Sequence, residues 1–259
     1  MKKPYRAENR EKDYVYGARA VMESIEAGRR IDKVLVRKGL ESDLRKDVIA
    51  LAQQHKIPVQ VVPPETIDRI ARGGNHQGVL AFTGVIQYAD LEEIIIGVRE
   101  RGEAPLLVML DQVSDVRNFA AIARSAECMG VHAIIIPEQG AARINAEAMK
   151  ISAGALNYLP VCRTNHLMDA INLLHSYGVA VMALDEKAQN NVFDCPLAEP
   201  ICLLLGSEDQ GINPRLLRSA DHLAKIPMYG NISSLNVSVA TGMVLLEAAR
   251  QRRFSDPAN

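Results

Sequence analysis

Asn118 and Arg124 follow the apolar run 106–110 through the loop Asp111-Gln112-Val113-Ser114-Asp115-Val116-Arg117. Phe119, Ile122, Ala126 and Met129 have the spacing of a helix face, and Arg124 falls off that stripe. A helix-borne arginine either sits solvated on the helix exterior or grips a phosphate or carboxylate through its guanidinium fork. Asn118, near the helix start, can cap it or donate to a ligand. A second stretch, Leu203-Leu204-Leu205-Gly206-Ser207-Glu208-Asp209-Gln210-Gly211, brackets two acids with glycines. It lacks the GK[ST] of a phosphate loop and the G-x-G-x-x-G of a dinucleotide site, and its charges repel phosphate. Either it forms a simple turn with capping acids, or it receives a neutral or cationic ligand. The third stretch, Ile226-Pro227-Met228-Tyr229-Gly230-Asn231-Ile232-Ser233-Ser234-Leu235-Asn236-Val237, opens the final helix and carries the polar groups of Ser234 and Asn236. Its unbonded backbone groups can read an adenine or ribose edge.

The elements that must position these loops alternate between strand and helix. Helical spacing covers 17–27 and 44–55, strand patterns cover 32–36 and 58–62, Pro63-Pro64 opens a short helix to Ile70, and a strand spans 79–85. Residues 86–104, charged and ending Arg101-Gly102-Glu103-Ala104-Pro105, read as a linker with a short helix. Apolar strands then recur at 106–110, 133–136, 179–183, 201–205 and 224–226, before a last helix from 234 or 235 to 252. Continuous apolar strands interleaved with helices predict a parallel sheet covered on both faces. In that last helix Leu235, Val239, Met243 and Leu246 form an apolar face, for burial within the domain or at a subunit contact.

Composition narrows the class further. The chain is 24% charged and 48% hydrophobic, which excludes wholesale disorder, and no apolar run reaches membrane-spanning length. The basic start lacks the apolar core of a secretion signal, so a cytoplasmic location is expected. Four cysteines without a CxxC pair read as buried thiols, and neither they nor the scattered histidines have the spacing of a metal site. The net charge of -1 conceals an excess of Lys and Arg over Asp and Glu in residues 1–85, with a basic arm at 1–12. Such an end attracts a polyanion such as RNA or forms a solvated surface. The absence of tryptophan and only seven Tyr and four Phe argue against extensive base stacking.

Together the three stretches resemble the motifs of the SpoU or TrmH family of RNA ribose 2′-O-methyltransferases, members of the knotted SPOUT class. Asp111-x3-Asp115-x2-Asn118 with Arg124-Ser125-Ala126 and Gly130 matches the first motif. Leu205-Gly206-x-Glu208-x2-Gly211 through Ile226-Pro227-Met228 matches the second, and Ser234-Leu235-Asn236-Val237-Ser238-x-Ala240 with Glu247 the third. Tyr16-Gly17 and His76-Gln77-Gly78-Val79-Leu80-Ala81 resemble the small substrate-binding domain of family members that modify a guanosine of 23S rRNA.

The resemblance implies an α/β architecture: a small α/β RNA-binding domain at 13–85, then a SPOUT methyltransferase domain at 105–255 with a parallel sheet and a trefoil knot. It implies S-adenosyl-L-methionine as cofactor, held around Leu205, Gly206, Gly211, Ile226, Pro227, Met228, Leu235 and Asn236. The substrate would be a ribose, expected in a guanosine of 23S rRNA or a ribosomal assembly intermediate. Arg124 would bind the adjacent phosphate and stabilise the developing alkoxide, Asn118, Ser234 and Asn236 would orient hydroxyl and loop, and Glu208 would organise Arg124 and the loops. The resemblance also implies a homodimer, and neither DNA nor a membrane is an expected partner. The alternatives are a tRNA ribose enzyme and a non-catalytic RNA-binding assembly protein. Two residues depart from the family pattern: Val116 stands where a proline is usual, loosening a turn, and Ala120 where a glycine is usual, adding a methyl where a backbone approaches substrate.

Overall fold

The computed structural model describes residues 14–39, 43–232 and 234–254; the arm at 1–12 lies outside them. The chain divides between Val85 and Ile86 into two compact units.

The first unit runs β1 (Tyr14–Tyr16), α1 (Ala18–Glu26), β2 (Ile31–Arg37), α2 (Asp43–Gln54), β3 (Val59–Val62), α3 (Pro64–Ala71) and β4 (Val79–Thr83). Its sheet has the order β1-β4-β2-β3, antiparallel except for the β2–β3 pair. The pleat sends alternate residues to opposite faces. Val34 and Val36 of β2 therefore pack with Val21 and Ile25 of α1 and Val48 of α2, while Leu35 packs with Ile67 of α3 on the other side. Sequence pattern does not reveal β1, because a three-residue run shows no period.

The second unit opens with α4 (Leu91–Glu100) and continues β5 (Leu106–Asp111), α5 (Val116–Cys128), β6 (Ala133–Pro137), α6 (Ala146–Ile151), β7 (Val161–Thr164), α7 (Leu167–Ser176), β8 (Ala180–Leu184), β9 (Asn190–Asn191), β10 (Ile201–Gly206), α8 (Pro214–Arg218), β11 (His222–Lys225) and α9 (Val237–Phe254). The stretch 86–104 is not the linker its charges suggest. Ile95 and Val98 of α4 are buried, and the Ala89 N–H donates to the Val161 carbonyl. Asp90 caps α4 by accepting from the Glu92 and Glu93 N–H groups.

All seven strands of this unit are parallel, in the order β7-β6-β5-β10-β8-β11-β9. Every residue of β5 is buried, as expected of a strand with helices on both faces. The chain steps outward from β5 through β6 to β7, crosses to β8, and only later lays β10 between β5 and β8. The order in which strands are added thus reverses beside β5, and the loops leaving β5 and β10 emerge side by side. In register, Gly206 ends β10 directly beside Asp111 at the end of β5. Among the described residues no helix is long and apolar enough to cross a membrane.

At the opposite edge of the sheet, α9 fastens the strand starts. The guanidinium of the half-buried Arg252 donates to the carbonyls of Leu197 (2.8 Å), Ala104 (2.6 Å), Pro105 (3.1 Å) and Glu199 (2.6 Å). Those carbonyls flank β5 and β10, so one side chain satisfies acceptors from both segments. Arg252→Ala leaves them without this donor and is expected to cost roughly 3 kcal/mol. Thermal melting should show a drop of several degrees, only partly recovered by Arg252→Lys, whose single ammonium cannot reproduce the planar fork.

Candidate active site

The loop after β5 and the start of α5 are shaped by two aspartates. Asp115 accepts from the N–H groups of Arg117 (2.9 Å) and Asn118 (2.8 Å), capping α5. Val116 is the first helical residue, so the turn forms without the proline usual there. Ala120 is fully buried, with its methyl inside the core. Asp111 is buried and accepts from the Asn213 N–H at 2.7 Å; burial pushes its carboxyl upward, opposed by that donor.

The loop after β10 needs glycine at its first position. A Cβ on Gly206 would clash with the Gly211 backbone, and the Gly211 N–H donates to the Ser207 carbonyl at 2.9 Å. Gly211 itself has φ 66°, the left-handed region that favours glycine. This tight closure projects Glu208 outward from the sheet edge.

Asn236 is the meeting point of three distant segments. Its Nδ2 donates to Oδ1 of Asn118 at 3.0 Å and to the Glu208 carboxylate, while its Oδ1 accepts from the Ser238 N–H at 2.9 Å. Glu208 also accepts from the Val237 N–H at 3.3 Å. The first turn of α9 is thereby satisfied by side chains from its own start and from the β10 loop. The last helix begins at Val237, slightly later than the sequence pattern suggests, because Asn236 serves as its cap.

Arg124 falls off the buried stripe of α5, as its spacing predicts. It is exposed on α5, and among the described residues it carries no ion pair or hydrogen bond. The hydrogen bonds of Glu208 go to Asn236 and the α9 start, the loop part of the organising role expected of it. The four cysteines also divide: Cys162, Cys195 and Cys202 are buried, but Cys128 is exposed at the end of α5. Burial pushes the Cys162 thiol to about 12, leaving it without nucleophilic character.

A cavity of about 510 Å³ opens at the carboxyl edge of the sheet, within the usual range of small-molecule sites. Leu205, Gly206, Gly211, Ile226, Met228 and Leu235 line it, as do Glu208 and Ser234; Pro227, Asn118, Arg124 and Asn236 do not. Sequence reasoning missed Asp185, Glu186 and Lys187, which follow β8, and Lys225, which ends β11. Their position at the carboxyl ends of strands was the available signal. The Asp185 N–H donates to the Ala224 carbonyl at 2.9 Å, tying these two exits together. Apolar walls, four carboxylates including Asp209 and two lysines make the cavity amphiphilic, suited to a ligand bearing an aromatic base, a cation and a carboxylate.

Residues 105–246 match the model of the SpoU rRNA methylase family, and residues 14–89 match that of the RNA 2′-O ribose methyltransferase substrate-binding domain. The chain belongs to the SpoU rRNA methylase family. It is therefore an RNA methyltransferase of the ribose 2′-O class. A 23S rRNA (guanosine-2′-O-)-methyltransferase RlmB of Photorhabdus laumondii is 35% identical over 244 residues, covering 93% of this chain and 98% of that protein. The putative TrmH family tRNA/rRNA methyltransferase YacO of Bacillus subtilis is 32% identical over 93% of this chain and 96% of its own length. Among solved structures, the SpoU methyltransferase AviRb of Streptomyces viridochromogenes in complex with AdoMet matches with a TM-score of 0.59 and 27% identity, covering 95% of this chain and 94% of that one. An AdoMet-bound rRNA methyltransferase from Sinorhizobium meliloti gives 0.58 and 28%, over 92% and 86%.

In this SpoU methylase the closure at Gly206 is the most demanding steric constraint at the cavity. Gly206→Ala forces the 207–211 backbone away from its position and is expected to destabilise the second unit by more than about 3 kcal/mol. Denaturant unfolding measures the loss, and limited proteolysis should show new cleavage within 207–211.

Proposed function

We propose that this protein transfers the methyl group of S-adenosyl-L-methionine to the ribose 2′-hydroxyl of a guanosine in 23S rRNA. The reading is carried by the Asn118–Asn236–Glu208 cluster at the end of the sheet that bears an amphiphilic cavity. The guanosine of 23S rRNA comes from the activity for which the RlmB relative is named, a protein aligned over nearly its whole length.

The cavity residues fit the cofactor chemically. Leu205, Ile226 and Leu235 offer apolar surface to an adenine, while Asp185, Glu186, Glu208 and Asp209 favour a cationic sulfonium and ammonium, and Lys187 and Lys225 favour a carboxylate. When bound, S-adenosylmethionine supplies an electrophilic methyl group on a positively charged sulfur. The chain supplies alignment and management of a proton, since a ribose hydroxyl is a weak acid. Asn118 and Asn236 hold each other's carboxamides in fixed orientations, a rigid polar platform for a hydroxyl. Arg124, exposed and without an intramolecular partner among the described residues, is open to an RNA phosphate and to the negative charge that develops on the attacking oxygen. Ser234, exposed on the cavity wall, orients the loop and the nucleotide.

The knotted threading implied by the motifs belongs to this reading, and so does a homodimer in the cytoplasm. Val239, Met243 and Leu246 stand 47%, 49% and 61% exposed at helical spacing along α9, an apolar stripe left uncovered by the rest of the unit. A second copy of the chain covers it.

Each statement has its own experiment. Arg124→Ala is expected to lower kcat at least about a hundredfold while cofactor affinity by calorimetry stays within twofold; turnover at a comparable rate removes Arg124 from the chemistry. Mapping of ribose 2′-O-methylation in cells with and without the protein should reveal one lost mark in 23S rRNA, whereas a lost mark in tRNA would reassign the substrate. For the dimer, Leu246→Glu places a charge on the apolar stripe and is expected to shift the protein to monomer in sedimentation equilibrium.

A further inference from the structure

The first unit contains its own cavity, of about 480 Å³, remote in sequence from the methyltransfer residues. It lies between the end of β2, the first turn of α2 and the loop joining α3 to β4. Arg37 and Arg45 line it, and so do Asn75, His76 and Gln77. No acidic side chain is among the described lining residues. Of the nearby acids, Asp68 is bonded to His76 and Asp43 to Lys46.

The loop that forms one wall is rigidly built. Arg72 and Gln77 adopt φ 48° and 50°, a conformation costly for residues with a side chain, and Gly73 and Gly78 also have positive φ. A Cβ on Gly74 would lie 2.6 Å from the Tyr16 ring, so any larger residue there displaces that aromatic. His76 accepts the Gly78 N–H at Nδ1 (3.0 Å), which leaves the proton on Nε2 to donate to Asp68 at 2.7 Å. The Arg37 N–H donates to the Gly78 carbonyl at 2.8 Å, joining the loop to the strand that carries the arginine.

Within this fixed frame the carboxamides of Asn75 and Gln77 are exposed and, among the described residues, carry no hydrogen bond. The Arg37 guanidinium is likewise exposed and, among those residues, unpartnered. The loop thus presents two amides to a concavity that Arg37 of β2 and Arg45 of α2 also line. Amides pair with base edges, and guanidinium forks pair with phosphates or stack on bases. The volume greatly exceeds that of a phosphate alone.

We propose that this cleft seats a single unstacked nucleotide of the RNA substrate, with Arg37 and Arg45 on its phosphodiester and Asn75 and Gln77 on its base. The proposal rests on the reading of RNA as substrate. It gives the first unit a definite part in recognition, because that unit selects a nucleotide held out of a helix while the second unit methylates another.

The test uses the full chain with unmethylated 23S rRNA from cells lacking the protein. Arg37→Ala combined with Arg45→Ala is expected to raise KM for rRNA at least tenfold with kcat within about twofold. The slope of log Kd against log salt in filter binding should fall by about two, one for each phosphate contact. Asn75→Ala combined with Gln77→Ala should raise KM for this rRNA several-fold while leaving the salt slope and the affinity for a mixed-sequence single-stranded RNA unchanged. Thermal melts and cofactor calorimetry within error of the parent protein establish that the effects are not unfolding. Unchanged KM and salt slope in both folded double variants would overturn the assignment. If the parent protein transfers no methyl group, the functional reading fails separately, because filter binding still reads the cleft.

Discussion

The hydrogen bonds of Asn236 to Asn118 and Glu208 are the constraint around which the second unit is arranged. They join the starts of α5 and α9 to the loop after β10, segments separated by up to 118 residues. A carboxylate and two carboxamides from three segments meet at the solvent-exposed end of the sheet, where each fixes the others' orientation. Their meeting requires β10 to end beside β5, which the insertion of β10 between β5 and β8 achieves. It also requires the loop after β10 to turn back at once, which the absence of a Cβ at Gly206 permits. Topology, glycine and cap are three expressions of the same requirement.

The continuous, fully apolar strands are legible in the sequence, because runs such as β5, β6 and β10 are stable only inside a covered sheet. Shorter or more polar strands are not. β7 contains Arg163 and Thr164, and β9 is only two asparagines, so their strand character comes from neighbours already in place rather than from any period. Residues 86–104 mislead for a related reason. Four of the ten residues of α4 are charged, and the buried pair Ile95 and Val98 is too small a stripe to outweigh them in the pattern.

The candidate site is legible where a residue type is demanding, and obscure where only geometry decides. Gly206, Glu208 and Asn236 can be picked out as polar or glycine residues after apolar strands. That Glu208 bonds Asn236 instead of Arg124 cannot, since both partners are chemically reasonable and only the path of α9 chooses between them. Asp185, Glu186 and Lys187 look like ordinary surface charge until β8 is known to end at the cavity. The motif departures belong here too. Pro would preset the turn before α5, but Asp115 already fixes it with two hydrogen bonds, and the Ala120 methyl fills core space. One departure is thus offset by the cap and the other by packing.

The distribution of charge follows from the chemistry proposed for the two units. A cavity holding a cationic methyl donor is favoured by carboxylates, and four line this one. The same carboxylates repel a phosphate backbone, so affinity for RNA cannot be generated by the cavity itself. Placing an excess of arginine and lysine in residues 1–85 separates the two demands: counterion release at the basic unit supplies binding, and the acidic cavity is free to suit the donor. Arg124 then stands out as an exposed cation in a unit whose cavity carries four carboxylates against two lysines. It is exposed and has no internal partner among the described residues, so an arriving phosphate need not displace an existing ion pair to reach it.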